Sequence, residues 1–460
     1  MQTRRDHLQA YQFSTSRLVV ALASGDPGTG QTPFRRARLG VLVGVVLGVL
    51  ISGGMVVSGL IAPEASTAWR NPNTIIVAKE TGTRYLLLDG VLHPTANYAS
   101  AVLVAGQTAS VQIVPQAQLA GVPTGPTVGI PGAPDILPPA AGLLPGTWAL
   151  CQRPGSRGVP VLDLDPAGRT SAIPARESVV VAGPAAGSGP GAPAPTEFVL
   201  WDGTKYPVTE AAMLPALGLS DASPAPVSAA WLAAFPTGPA LAPAAVAGAG
   251  SAGSPVAGQP ARVGQLFEVP AADPGQPGTE QYYVLLKDGL APLTRTEAAL
   301  LGGEPGGAGA RQVDAAAVAA APASADHSLL QRLPDLLGAP IRADDHNVAL
   351  CALQSSPGDP AGTELVAEDG AAIAAAPPVV LPDDRGMLAQ GGPTLVDDPE
   401  NSPPEYLITG TGEKFVIQGT DAAAALGYPD LAARIVTPQM LALIPTGPTL
   451  STAAALKAAA

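Results

Sequence analysis

The sequence predicts an α+β protein: one N-terminal transmembrane helix, then an extracytoplasmic region of four small α+β repeats around a central β-rich domain with pseudo-twofold symmetry. Three observations predict it. Residues 39–62 run for 24 positions without a charge. Four later segments each place a hairpin-type Gly and a Pro at one fixed interval. Between them lie two segments of similar text, each holding one of the two cysteines.

Composition sets the material. Hydrophobic residues make up 47% of the 460 and aromatic residues 4%, so cores must be built mainly from Ala, Val and Leu. The net charge is −13 and the pI about 4.7. That argues against nucleic acid and anionic lipid surfaces as partners, because both are gripped by Lys and Arg. Four His leave too few ligands for a histidine-rich metal site.

The first 38 residues are predicted to form an arm with a short amphipathic helix. Leu8, Tyr11, Leu18 and Leu22, with Thr15 between, fall at helical spacing, and Gly25-Asp26-Pro27 stops the run. Such a helix either docks on a partner protein or lies on the bilayer. Residues 39–62 are long enough to cross a hydrocarbon core of about 30 Å. Arg35, Arg36 and Arg38 abut this span, and residues 1–38 hold six Arg against two acids, so the N-terminus is expected in the cytoplasm. The bulk then lies outside. Within the span, Gly40, Gly44, Gly48 and Ser52 recur every four residues, which predicts a face that packs closely against another helix. Outside, an even number of cysteines in an oxidising compartment predicts one Cys151–Cys351 disulfide, two unrelated buried thiols being the alternative.

The repeats are predicted from the interval. Gly90 to Pro123, Gly203 to Pro236, Gly289 to Pro322 and Gly412 to Pro445 are each 33 residues. Asp89-Gly90, Asp202-Gly203 and Asp288-Gly289 are hairpin signals; Thr411 replaces the acid before Gly412. Helices are expected from Thr209 to Gly218, Thr296 to Gly302 and Thr420 to Gly427. A short strand follows, as in Gln112-Ile113-Val114 or Arg434-Ile435-Val436, and a Pro-Thr-Gly-Pro turn ends the unit, with Pro-Ala-Ser in the third. Trp148-Ala149-Leu150-Cys151 matches Val348-Ala349-Leu350-Cys351, and Val179-Val180-Val181 parallels Val379-Val380-Leu381. The predicted order is repeat 1 (63–126), core half one (127–195), repeat 2 (196–239), a flexible Ala/Gly/Pro joint (240–262), repeat 3 (263–325), core half two (326–404), repeat 4 (405–450) and a tail (451–460).

Catalytic motifs are missing from the text. No GxxxxGK[ST], HExxH or GxSxG occurs. His93, beside Pro94, reads as an exposed turn residue. Asp344-Asp345 and Asp383-Asp384 read as solvated loop acids. Lys205, Lys287 and Lys414, all within two residues of a hairpin turn, read as shared ancestry and solubility, not as a site. No cofactor is expected.

With these features in place, the chain resembles the EccB family of the actinobacterial type VII (ESX) secretion system. The resemblance rests on Arg4-Arg5-Asp6, Leu8, Ala10-Tyr11, Phe13, Arg17 and Gly25-Asp26-Pro27 in the arm. Outside, it rests on Ile75-Ile76-Val77, Glu80-Thr81-Gly82, Arg84-Tyr85, Leu92-His93-Pro94, Asn97-Tyr98-Ala99-Ser100 and Gly129-Ile130-Pro131-Gly132-Ala133-Pro134. It implies an elongated outer assembly of repeats about a disulfide-linked core, with repeats like those of a phage-lysin wall-binding subunit. It implies a structural subunit that joins an FtsK/SpoIIIE-like ATPase (EccC), EccD, EccE and a subtilisin-like mycosin protease, and that forms a homo-oligomer. Arg4, Arg5, Leu8, Tyr11, Phe13 and Arg17 are expected to dock cytoplasmic partners. The alternatives are an ATP-hydrolysing enzyme of the same system, a label the family sometimes carries, and a stand-alone membrane-anchored peptidoglycan-binding protein.

Overall fold

The computed structural model describes residues 4–24, 34–60, 67–174, 177–185, 194–210, 213–220, 222–271, 279–303, 309–337, 339–342, 344–355, 362–392, 403–429 and 431–459. They form two compact units, Met1–Asn71 and Pro72–Ala460.

The first unit holds helices Arg4–Ser24 and Phe34–Leu60 and a short turn at Thr67–Arg70. The Gly25-Asp26-Pro27 stop lies outside the described residues. The second helix has 27 residues, but its side chains are described only over 39–52. Among the described residues no helix is long and apolar enough to cross a membrane. Of the predicted span, residues 61–62 lie outside the described residues, and for 53–60 only the backbone is described.

In the second unit, four sheets are wired in the same order. In the first, Thr74–Ala78 pairs antiparallel with Arg84–Leu88 and parallel with Ser110–Val114, and Val91–Pro94 completes the hairpin. In the second, Ser178–Ala182 takes the central place, flanked by the hairpin Glu197–Trp201/Thr204–Val208 and by Ala225–Pro226. The third and fourth are centred on Leu266–Val269 and Gly386–Gly391. Each hairpin is followed by a helix that carries the chain back to the parallel strand: Tyr98–Ala105, Met213–Ala216, Arg295–Gly302 and Thr420–Ala425.

The fixed interval has a structural cause. The proline-rich turn folds back and bonds to the outer hairpin strand. The amides of Leu92, Lys205, Leu290 and Lys414 donate to the carbonyls of Pro123, Pro236, Pro322 and Pro445, all within 2.7–3.0 Å. The same residues accept in return from Gly125, Gly238, Ser324 and Gly447. In three sheets an aromatic ring of the hairpin covers the turn glycine: His93 on Gly125, Tyr206 on Gly238 and Phe415 on Gly447. A Cβ there would penetrate the ring. Gly447→Ala is therefore expected to lower stability by about 1–3 kcal/mol. A thermal midpoint equal to wild type would show that the ring is not seated there.

Four expectations change. First, the hairpins are not uniform. Asp89-Gly90 and Asp202-Gly203 are two-residue turns with positive φ throughout. The third loop spans four residues, 286–289, and Asp288 instead accepts from Ser324 Oγ (2.9 Å) and Ala325 N (3.2 Å), holding together the turn that lacks the Pro-Thr-Gly-Pro text. The fourth loops through 410–412, with Thr409 N bonded to Glu413 O.

Second, the strands Ser178–Ala182 and Gly386–Gly391 belong to the second and fourth sheets, so the boundaries at 195/196 and 404/405 cut through both. These largely buried strands have no turn signal of their own. It follows that Val179-Val180-Val181 and Val379-Val380-Leu381 are not equivalent, since Val379–Val380 joins the central sheet.

Third, the expected flexible joint contains a hairpin, Ala252–Val256 with Gln259–Arg262, closed at Ala257-Gly258 where both φ values are positive. The tail is folded as well: Thr452–Ala455 is helical, and Ala459 N donates to Thr127 O.

Fourth, the helix caps move. Thr294, not Thr296, caps Arg295–Gly302, because its extended backbone lets the hydroxyl accept from Glu297 N. Thr420–Ala425 is preceded by Gly419, without a side-chain cap. Residues 211–212 of the expected Thr209 helix lie outside the described ones.

Packing joins the sheets in pairs. Ala99 and Leu103 of the first share a core with Leu388, Leu407 and Phe415 of the fourth. Val180, Val199 and Met213 of the second pack with Leu300 from the third. A six-stranded sheet is drawn from 148–172 and 348–380, and its Trp148 and Leu162 share a further core with Val181 and Leu200 of the second sheet and Met387 and Ile408 of the fourth.

Candidate functional site at the disulfide junction

The six-stranded sheet is where the two halves of the chain meet. Trp148–Cys151 runs antiparallel to Val348–Gln354, and the register sets Cys351 directly opposite Cys151. The two are disulfide-bonded with Cα atoms 4.0 Å apart, and both are fully buried. That separation lies within disulfide reach.

Two acids occupy matching stations around this bond. Asp163 sits opposite Ala149 on one side, and Glu368 opposite Ala349 on the other. Arg169 lies between them. Its guanidinium donates to Asp163 Oδ2 at 2.6 Å and stands 3.8 Å from Glu368 Oε1. Glu368 Oε2 lies 3.4 Å from Cys151 Sγ. Burial pushes the Glu368 carboxyl above its usual range, and the Asp163 charge adds to this; Arg169 opposes both. Burial also raises Asp163, against the Asp165 amide and Arg169.

The sign of the pH effect follows. A carboxyl whose folded pKa is raised favours the fold most below its unfolded value, here 4.5, and loses that contribution as pH rises through the folded value. Glu368→Gln is thus expected to gain thermal stability relative to wild type as pH rises from 4.5 to 7. Parallel melting curves across that range would count against a raised Glu368.

The chemistry open to this cluster is narrow. Cys151, Cys351 and Glu368 are the one metal-type grouping among the described residues, yet a disulfide leaves only the carboxylate to ligate. Arg169 already pairs with Asp163 and stands within ion-pair distance of Glu368. The arrangement holds strands together.

The other predicted site residues are scattered. On the arm, Leu8, Tyr11, Phe13 and Leu18 are exposed, as are Arg4, Arg5 and Arg17. Leu8, Tyr11 and Leu18 follow one side of the helix. Phe13 faces away from it, with Arg17 over its ring. Along Phe34–Leu60, Gly40, Gly44 and Gly48 have open space where a Cβ would stand, and Ser52 is exposed. His93 is half-buried, its Nδ1 within 2.9 Å of Pro126 O, so it is not a free turn residue. Asp345 Oδ1 accepts from Asn347 N, a turn role.

Sequence reasoning missed two kinds of clamp. Lys205 Nζ donates to the carbonyls of Leu232 (2.6 Å) and Phe235 (2.7 Å), and Lys414 Nζ to those of Leu441 (2.7 Å) and Ile444. Both ammonium groups neutralise the carboxy ends of short helices and are pushed down in pKa by burial. They are not solubilising. Their shared spacing of two residues after the turn glycine was the available signal. Lys287 is exposed. The second clamp is Arg332, which grips fully buried Glu297 at 2.6 and 2.7 Å and donates to Ala242 O at 2.8 Å. It ties the helix of the third sheet to the segment leaving the second. Beside that segment lies an open cavity of about 790 Å³ lined mostly by small and aliphatic residues, with Gln265 among them; its one charged group, Arg262, donates to Gly250 O.

Comparison with known proteins gives consistent matches. The family model for type VII secretion system ESX-1, transport TM domain B, matches residues 1–459. The "ESX-3 secretion system ATPase EccB3" of Mycolicibacterium smegmatis is 29% identical over 309 residues, 65% of this chain and 56% of that protein. The "ESX-1 secretion system ATPase EccB1" of Mycobacterium tuberculosis is 30% identical over 316 residues, 65% of this chain and 61% of that protein. The chain thus matches somewhat over half the length of these curated relatives. Among solved structures, the EccB3 dimer from the ESX-3 core complex superposes with a TM-score of 0.63 at 26% identity, covering 84% of this chain and all of that one. A chain of the intact ESX-5 inner membrane complex has a TM-score of 0.64 at 24% identity, covering 100% and 96%, and speaks for the fold.

Proposed function

The chain belongs to the EccB family of type VII secretion, and from that premise we propose that it is a structural, non-enzymatic subunit of an ESX-type inner-membrane complex. The arm docks cytoplasmic partners through Arg4, Arg5, Leu8, Tyr11, Phe13 and Arg17. Residues 39–62 cross the membrane, on the strength of their uncharged length and flanking arginines, with Gly40, Gly44, Gly48 and Ser52 against another helix. The outer unit is two similar halves about a pseudo-twofold axis at the disulfide. Its partners are an FtsK/SpoIIIE-like ATPase, EccD, EccE and a mycosin protease, together with further copies of itself. The solved EccB3 dimer supports self-association.

One observation carries the structural reading. The halves are interlocked by exchanged edges. Ile341–Arg342 of the second half pairs parallel with Ser178–Val179 of the first, and Leu143 of the first half makes a parallel bridge to Gly386 of the second. The buried charges, Asp163, Glu368, Glu297 and Lys414, each bond to other elements and are spent on holding them. That is the build of a rigid scaffold.

The relatives' names carry "ATPase", and the sequence gives no phosphate loop to support it. Extraction of the tagged full-length protein from its native membrane, followed by a native gel, tests the proposal. A large species that contains the FtsK-like ATPase is expected. A small species without partners, retained on isolated peptidoglycan, would instead make it a lone wall anchor. Steady ATP turnover by the purified chain, abolished by a point substitution, would make it an enzyme.

A further inference from the structure

The last strand of the first sheet, Ser110–Val114, is an edge. Its backbone parity is fixed at both ends. Ser110 N donates to Asn73 O and Val114 O accepts from Lys79 N, each at 3.0 Å, so Ser110, Gln112 and Val114 turn their amide groups toward Thr74–Ala78. The N–H and C=O groups of Val111 and Ile113 then point outward, away from the sheet. Both side chains are apolar and β-branched, and they are 49% and 69% exposed.

The equivalent edges elsewhere are short or blunted. The second sheet ends on Ala225–Pro226, where proline removes a donor. The third ends on Arg311–Gln312 and the fourth on Arg434–Val436, each with a charge on the edge. Ser110–Val114 is five residues long and has neither charge nor proline. On its other side the first sheet is covered, since Leu92 and Thr95 bridge Thr124 and Val128.

The strand is also complementary to itself. An antiparallel copy centred on Gln112 sets Val111 opposite Ile113 of the partner, and Ile113 opposite Val111. These are the residues whose backbone groups face outward, so each pair exchanges both its hydrogen bonds, and the exposed side chains meet on one face. Gln112 meets Gln112, and Ser110 meets Val114. The nearby charges do not oppose this. Glu80, which accepts from Gln116 N, lies near the Val114 end, whereas the other end carries the neutral Asn73–Thr108 pair. The symmetry returns every contact to itself, as a closed dimer requires.

We propose that two copies of this chain join edge to edge through Ser110–Val114, continuing the first sheet across a twofold axis at Gln112. This rests on the self-association proposed above and names its contact. The test uses the full chain in mild detergent. Gln112→Cys places a thiol beside its own copy while Cys151 and Cys351 stay paired and buried. Mild oxidation is expected to give a covalent dimer. Adding Ile113→Lys should cut that product at least tenfold without moving the melting point, because the side chain is exposed. Val111→Pro, which removes only an outward donor, should do the same. A chain that self-associates by mass yet gives no cross-link would overturn this contact and leave self-association standing. A monomer at every concentration would overturn both. A cross-link to a different protein would overturn the second copy as occupant.

Discussion

Cys151→Ala/Cys351→Ala is expected to lower the unfolding free energy of the outer unit by about 4–5 kcal/mol. The two residues are 200 apart in sequence, so their bond closes a long loop and removes that much freedom from the unfolded state. The loss is not confined to chain entropy. The bond sits at the centre of the six-stranded sheet, where the halves share only the ladder from Trp148 to Cys151 against Cys351 to Gln354 and the flanking short pairs. Thermal denaturation with and without reductant checks it. Wild type in reductant should fall toward the double variant, and the variant should not respond to reductant. Equal midpoints for oxidised wild type and the variant would mean that packing alone holds the halves.

Arg332→Met is the second large effect. Glu297 is fully buried, and Arg332 supplies both of its charge-assisted bonds. Removing the cation leaves a fully buried carboxylate without its counter-ion, which costs about 3–5 kcal/mol. The pair as a whole is worth much less than either deletion suggests, because desolvating two charges offsets most of their attraction. Glu297→Met/Arg332→Met should therefore recover most of the stability that Arg332→Met loses. A double-variant cycle by denaturant titration separates these terms. If the double variant is as unstable as the single one, the bonds from Arg332 to Ala242 rather than the ion pair carry the contact.

The local devices were legible. Asp89-Gly90 and Asp202-Gly203 form the turns their text announces, because only a residue pair tolerant of positive φ closes a two-residue hairpin. The 33-residue interval was legible too, and the backbone bonds from each hairpin to its proline turn are its cause. The position of Cys151 against Cys351 followed from count and compartment. By contrast, Asp288-Gly289 announced a tight turn and formed a wider loop, since the third unit must bond its altered turn through the Asp288 side chain.

Hydropathy and short-range sterics act within a few residues of one another, so the uncharged run at 39–62, the hairpin glycines and the spacing of the proline turns were determined by the sequence itself. Which half lends strands to which sheet was not. Ser178–Ala182 and Gly386–Gly391 are largely buried strands, and beside the partners from their own half each takes a further one, Ile341–Arg342 and Leu143, from the other half of the chain. The roles of Lys205, Lys414 and Arg332 likewise appear only once helices 27 or more residues away present their carbonyls and carboxylates. Contacts of that range are chosen by how whole sheets pack, and only the tertiary structure decides them.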